Sequence, residues 1–241
     1  LYSLALEPAA ECSSDPNSYG FRKGRATHDA RSQLFISLSK KASAEWVMDA
    51  DIKGFFDNIS HEWLLNHVHM DTAMLRKWLK AGVIDAGQLQ RTDDGTPQGG
   101  IISPTLANIT LNGMETELMQ FLREKLGTKP AKRGKVNLVR YADDFVVTGD
   151  SKELLETIVQ PWIEEFLRER GLTLSKEKTK IVHIDDGFDF VGWNFRKYGG
   201  KMLIKPSQKN AKAFYDKVSG IIERSLSIPT GLLINKLNPV L

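Results

Sequence analysis

Cysteine is almost missing from this chain: Cys12 is the single one in 241 residues. That excludes an internal disulfide and a zinc site built on several thiolates, and it suits a reducing cytosol. Long apolar runs are missing too. No stretch reaches ~18 consecutive apolar residues, so no membrane-spanning helix is expected, and no membrane partner. Strong net charge is also absent, because 33 Lys and Arg against 30 Asp and Glu leave only +3. An apolar content of 41% and a charged content of 26% are ordinary for a globular domain. The length allows one large domain, or a domain with a small appendage. No internal repeat, low-complexity stretch or signal-peptide pattern is visible. Leu1–Leu6 reads as the middle of a helix rather than a natural start, so a fragment is expected.

What charge there is lies unevenly. Between Lys176 and Arg224 eleven Lys and Arg face six Asp and Glu. A basic C-terminal third suggests a grip on a polyanion. Near the other end, Tyr19-Gly-Phe-Arg22-Lys-Gly-Arg25 spaces cations with glycines, a pattern suited to close approach to phosphates.

The periodicity predicts a loop over Glu7–Ser18 and a helix capped by Thr27 and running through Leu38. It predicts a strand over Glu45–Ile52, a helix His61–His69 with Asp57, Asn58 or Ser60 as cap, and a helix Ala73–Lys80. His61, His67 and His69 lack partners at metal-ligand spacing. Three glycines and Pro97 make Asp93–Gly100 irregular. Ser103-Pro104 then opens a helix to about Lys125, and Gly127–Gly134 reads as a basic linker. Ser151 caps a helix that Pro161 should kink or split, closed by Gly171. Short strands follow at Leu172–Leu174, Thr179–Ile184, Phe188–Phe195 and Lys201–Ile204. A final amphipathic helix, Ser207 to Leu226, turns Phe214, Val218, Ile221 and Ile222 inward.

The most informative stretch is Val136-Asn-Leu-Val-Arg-Tyr141-Ala-Asp143-Asp144-Phe-Val-Val-Thr148. Two apolar runs flank a polar centre, as in two strands joined by a tight turn at Ala142–Asp144, where Asp tolerates unusual backbone angles. Adjacent carboxylates repel unless a cation is near, and hard divalent ions take such ligands together with phosphates. Asp51, at another strand end, completes a trio of a kind that can hold two divalent ions about 3.5–4 Å apart for in-line phosphoryl displacement. Chemistry alone leaves nuclease and polymerase both open. The loop bearing Gln98, and the ring of Phe55 or Phe56 placed to press on a sugar, favour polymerase.

Tyr141-Ala-Asp-Asp144, Asp51-Ile-Lys-Gly-Phe-Phe-Asp57, Gly95-Thr-Pro-Gln-Gly-Gly-Ile-Ile-Ser-Pro104 and Phe190-Val-Gly-Trp193 resemble the motifs of group II intron-encoded reverse transcriptases. Tyr19–Ala30 resembles the family's second fingers block, Leu172–Thr179 the block after the palm helix, and Leu237-Asn-Pro239 the start of a thumb motif. The resemblance implies an α+β right-hand polymerase fold, with an antiparallel palm sheet packed on helices, partial fingers and the start of an α-helical thumb. The expected division is fingers 1–44, palm 45–80, a fingers/palm loop region 81–104, palm 105–205 and thumb start 206–241.

It implies RNA-directed DNA polymerisation with Asp51, Asp143 and Asp144 as catalytic metal ligands, aided by the Ile52 carbonyl, and two Mg²⁺ ions, for which Mn²⁺ can substitute. Phe56, Pro97, Gln98, Gly99 and Lys178 would border the nucleotide. Arg22, Arg25, Gly192, Trp193, Lys205, Lys209 and Lys212 would meet nucleic acid, with Phe188–Tyr198 as primer grip. The implied partners are an RNA template, a DNA primer, dNTPs and intron RNA, in a bacterial cytoplasm. Alternatives within the resemblance are an RNA-binding splicing cofactor (maturase) and a CRISPR-associated relative. Compared with the family pattern, the first fingers block and most of the thumb are expected to be absent.

Overall fold

In chain order the strands are β1 (Trp46–Ala50), β2 (Val83–Asp85), β3 (Gln88–Gln90), β4 (Asn137–Tyr141), β5 (Asp144–Gly149), β6 (Lys180–His183), β7 (Phe188–Phe190), β8 (Trp193–Tyr198) and β9 (Lys201–Pro206). The helices are α1 (Tyr2–Cys12), α2 (Thr27–Leu38), α3 (Phe55–Asn58), α4 (His61–His67), α5 (Thr72–Leu79), α6 (Ser103–Leu111), α7 (Met114–Leu126), α8 (Thr128–Arg133), α9 (Lys152–Leu154), α10 (Gln160–Arg168), α11 (Gln208–Glu223) and α12 (Thr230–Leu237). The computed structural model describes residues 2–85, 88–90, 95–96 and 100–240, with backbone alone for β2 and β3.

β1, β4, β5 and β6 form an antiparallel sheet in the order β4-β5-β1-β6, β2 pairs β3, and β7-β8-β9 make a second antiparallel sheet. Side chains alternate across a strand, and here both faces are covered. Val47, Val139 and Val146 point into one core with Leu34 and Leu38 of α2 and Phe188, Phe190 and Phe195 of the second sheet. Met48, Leu138, Phe145 and Val147 point into the other, with Leu75 of α5, Leu106 of α6, Leu118 of α7 and Ile163 of α10. Each such buried side chain is worth roughly 1.5–3 kcal/mol, so the central strands are held from both sides.

Several elements differ from the sequence expectation. Residues 7–12 are helical rather than loop, despite Pro8. Leu6 and Ala10 are buried there, and Glu7 and Glu11 pair with Lys23 and Arg22, so tertiary contacts outweigh the missing amide. Ala26, not Thr27, is the N-cap residue of α2, with its amide bonded to Asp29. Of the three proposed caps for α4, Ser60 takes the role, accepting from the Trp63 amide. The long helix expected from Ser103 breaks at Asn112, which is extended, and Gly113, at φ +91°, while the supposed linker forms α8. Pro161 does not split the helix: it stands in the first turn of α10, where its missing amide costs little, and the π-helical turn Leu155–Val159 joins α9 to α10. Leu172–Leu174 is no strand, contributing only a single bridge from Leu174 to Ile52. Phe188–Phe195 is two strands, turned at Val191–Gly192 where both residues have positive φ. The expected inward face of α11 is not inward: α11 buries no residue, and Phe214 is 48% exposed.

Candidate active site

Tyr141 pairs with Asp144, leaving Ala142 and Asp143 as the two central residues of the β4–β5 turn. The expectation that an aspartate takes the unusual angle is corrected here. Ala142 carries φ +58°, at the position where hairpin turns usually place glycine. A side chain in that region costs ~1–2 kcal/mol, so the surroundings must enforce it. They do so from two sides. Gly20 lies so close that a Cβ on it would sit 2.2 Å from the Ala142 amide nitrogen. Beneath the turn, the buried Arg140 donates from Nη1 to the Ala142 carbonyl at 3.2 Å. The Arg140 backbone is itself pinned, its amide to the Asn17 carbonyl and its carbonyl to the Tyr19 amide, each at 2.9 Å.

The third carboxylate arrives from β1. The register Ala50↔Phe145 puts Asp51, one residue further, beside Asp144 at the start of β5. Beyond β1 the chain lies along 173–175: Ser175 donates its amide to the Asp51 carbonyl at 2.8 Å, and Lys53 donates to the Thr173 carbonyl at 2.9 Å. That alignment carries Lys178 to Asp51, Nζ to Oδ2 at 2.7 Å, with the lysine largely exposed and Asp51 mostly covered. Although part of Asp144 meets solvent, the protein around it removes enough water to push its carboxyl up to about 6, with Asp143, Asp51 and a hydrogen bond to Asp51 adding to the rise and Lys178 opposing it. Asp143 is raised by the same loss of water, with Asp51 adding, while its own amide and Lys178 oppose. Asp49, further back on β1, is pushed up to about 7 chiefly by burial and then by Asp144. Among the described residues no group of three or more His, Cys, Asp or Glu is arranged to hold a metal ion. The lysine ammonium is the cation that meets the trio here.

The other predicted residues fall into three groups. Phe56 lies on α3, which Gly54 at φ +52° precedes, and its ring meets Phe55 and Phe21 edge-on at 5.2 and 6.0 Å. Pro97, Gln98 and Gly99 lie outside the described residues. The cations of the Tyr19–Arg25 segment are already engaged: Arg22 bonds Glu11 and the carbonyls of Asp15 and Ser18, and Arg25 bonds the Pro16 carbonyl and stands over the Tyr19 ring. In the C-terminal third, Gly192 at φ +86° touches Asn210, and Trp193 carries the Arg31 guanidinium on its ring at 4.7 Å. Lys205, Lys209 and Lys212 are exposed along β9 and α11.

Sequence reasoning missed three features of the site. Lys53 and Lys176 line, with Lys178, an open cleft of ≈ 610 Å³ beside Asp51. Phe21, half exposed at φ +58°, joins Phe56. Arg140 and Asn108 sit buried below the turn. The basic spacing of Lys53, Lys176 and Lys178 was readable, whereas nothing local marks Arg140 as different from a surface arginine on a strand.

Residues 1–195 match the family model described as reverse transcriptase (RNA-dependent DNA polymerase). Protein YkfC of Escherichia coli is 31% identical over 91% of this chain and 66% of its own length. The group II intron-encoded protein LtrA of Lactococcus lactis is 29% identical over 80% of this chain and 41% of its own. The chain thus spans roughly two thirds of one relative and two fifths of the other. Among solved structures, telomerase from Candida tropicalis in complex with a fragment of telomeric RNA superposes with a TM-score of 0.63 at 15% identity, over 93% of this chain and 41% of that one. At that identity the likeness concerns the fold, a mixed α/β architecture with antiparallel sheets. With the family model covering most of its length and a group II intron-encoded protein among its relatives, this chain belongs to the reverse transcriptase (RNA-dependent DNA polymerase) family.

Proposed function

We propose that this chain carries the nucleotidyl-transfer centre of an RNA-directed DNA polymerase, extending a DNA primer with dNTPs on an RNA template. In this reading β1, β4, β5 and β6 with their covering helices are the palm (45–80 and 105–205). Residues 1–44 belong to the fingers, 81–104 to a fingers/palm loop region and 206–241 to the start of the thumb. The observation that carries the reading is the meeting of Asp51, Asp143 and Asp144 at one end of a sheet buried on both faces, with a lysine ammonium on Asp51.

The donor set suits a hard divalent cation: it is all-oxygen and carboxylate, and Asp143 and Asp144 are raised in proton affinity first by loss of water and then by neighbouring carboxylates, a repulsion that positive charge would relieve. Asp51, Asp143 and Asp144, with the Ile52 carbonyl, would hold Mg²⁺, or Mn²⁺ in its place, once Lys178 yields Asp51. When bound there, two such ions would supply Lewis acidity at the primer hydroxyl and at the phosphates of the nucleotide. The protein's own part is placement. Lys53, Lys176 and Lys178 offer positive charge to the triphosphate along the cleft beside Asp51. Phe56, backed by Phe55 and Phe21, presents a ring to the sugar. Gly192, Trp193, Lys205, Lys209 and Lys212 lie along the surface on which a template–primer duplex would rest.

A 5′-labelled DNA primer on an RNA template, incubated with dNTPs and Mg²⁺, tests the reading. Lengthening by the parent and none by Asp51→Asn is the expected result. Shortening of the primer would instead indicate a nuclease, and lengthening that survives Asp51→Asn would remove the trio from the chemistry. A second reading, an RNA-binding splicing cofactor, draws support from a 23% identical match across all of this chain to maturase-like protein 1 of Euglena gracilis. Intron binding that persists in Asp51→Asn separates the two roles.

A further inference from the structure

Arg140 is 1% exposed and makes no ion pair at 4 Å or less among the described residues. A buried guanidinium is costly where donors go unused: Nε has no hydrogen-bond partner among the described residues, and the way the two Nη groups are used is informative. Nη1 donates to the Asn108 Oδ1 and to the Ala142 carbonyl, both at 3.2 Å, and Nη2 donates to the Asn112 Oδ1 at 3.4 Å. Asn108 in turn donates from Nδ2 to the Gly20 carbonyl at 3.0 Å. Gly20 is the residue pressed against the Ala142 amide. The result is a closed ring of contacts, Arg140 to Ala142 to Gly20 to Asn108 and back to Arg140, around the one residue of the turn with an unfavourable φ. The opposite charges acting on it are Asp15, in the loop after α1, and Glu115 on α7, and the like charge is Arg22. None of these groups is a member of the acid trio.

Resting on the polymerase reading above, we propose that Arg140 is a positioning residue: with Asn108 it clamps the Ala142 carbonyl, holds the turn in its left-handed conformation, and thereby sets the separation of Asp143 and Asp144 for divalent-cation binding. A planar fork can serve the Asn108, Ala142 and Asn112 oxygens at once, and an ammonium cannot reproduce that geometry. Arg140→Lys therefore keeps the buried charge and loses the clamp. A core residue of similar burial away from the turn, Leu122 on α7, serves as the control for reduced stability alone.

The test is Mn²⁺ binding by this chain, read from the loss of the free-ion electron paramagnetic resonance signal, with circular dichroism and a thermal melt on each variant. Partners that orient metal ligands are worth about 10–100-fold in metal affinity. Arg140→Lys is expected to weaken Mn²⁺ binding by at least ~10-fold while remaining folded, and Leu122→Ala to leave it within about twofold of the parent despite a lower melting temperature. If Arg140→Lys does not fold, Asn108→Ala carries the same expectation. Binding by the clamp variant that matches Leu122→Ala, with binding abolished in Asp143→Ala/Asp144→Ala, overturns the clamp and leaves the polymerase reading standing. Binding unchanged in Asp143→Ala/Asp144→Ala overturns both.

Discussion

The two ends of this chain are built on opposite terms. Strands β1, β4 and β5 are packed on both faces, and the turn between β4 and β5 is further held by polar contacts that reach it through Arg140 from Asn108 of α6 and from the 17–22 loop. Helices α11 and α12 bury no residue among those described, and Phe214, Tyr215 and Leu232 stand in the open. The first arrangement fixes a few carboxylates in place, which chemistry on phosphates requires. The second presents lysines and apolar rings on a surface that can adapt to what lies on it. Under the proposed polymerase reading, the contrast separates a centre that places reacting groups from an arm that supplies binding area.

The largest effect that could break this contrast is on stability. Phe195 is fully buried and stacked on Phe188 at 5.1 Å, so Phe195→Ala should cost ~3–5 kcal/mol in denaturant unfolding. Phe214→Ala on α11 should stay within about 0.5 kcal/mol of the parent. Similar destabilisation at the two positions would show that the C-terminal arm is packed in solution.

A smaller effect concerns the arm's role. Replacing Lys205, Lys209 and Lys212 together by alanine should weaken template–primer binding. The slope of log K against log salt should also become shallower, by about one for each phosphate these lysines neutralise. The melting temperature should hardly move. An unchanged salt slope would take these lysines off the duplex.

The smallest effect probes the polar frame behind the turn. Glu115 accepts from the Asn17 amide at 3.0 Å and from its Nδ2 at 2.6 Å, and burial raises its carboxyl above the ordinary 4.5. A raised carboxyl binds its proton more tightly folded than unfolded, so this group's contribution falls as pH climbs from about 4.5 through the folded value. Glu115→Gln should remove that part of the pH dependence, seen as a parent-minus-variant stability difference that changes between about pH 4 and pH 7. A difference that stays flat across that range would place Glu115 in contact with water.

Much of the centre was legible in the sequence, and the reason is local. Apolar runs around Asp143 and Asp144 have the length and β-branched content of strands, and Asp51 closes a run of the same kind, so the trio and its sheet could be read without a partner in view. Ser60, Ser151 and Ser207 cap their helices as their spacing suggests. What escaped depends on distant parts of the chain. Glu7 and Glu11 stabilise a helix through Pro8 only because Lys23 and Arg22 fold back on them. The positive φ at Ala142 needs Gly20 and Arg140 to enforce it. The amphipathic pattern of α11 was real, but a stripe of apolar residues states only that a face can be covered, not that it is.

The division of labour is tested most directly by two numbers on one variant. Asp143→Ala should bind a DNA-primed RNA template with a Kd within about twofold of the parent, because the change touches the centre and not the arm, while its single-turnover extension with dNTPs and Mg²⁺ falls to background. Extension at the parental rate, or duplex binding that disappears together with extension, would contradict the account.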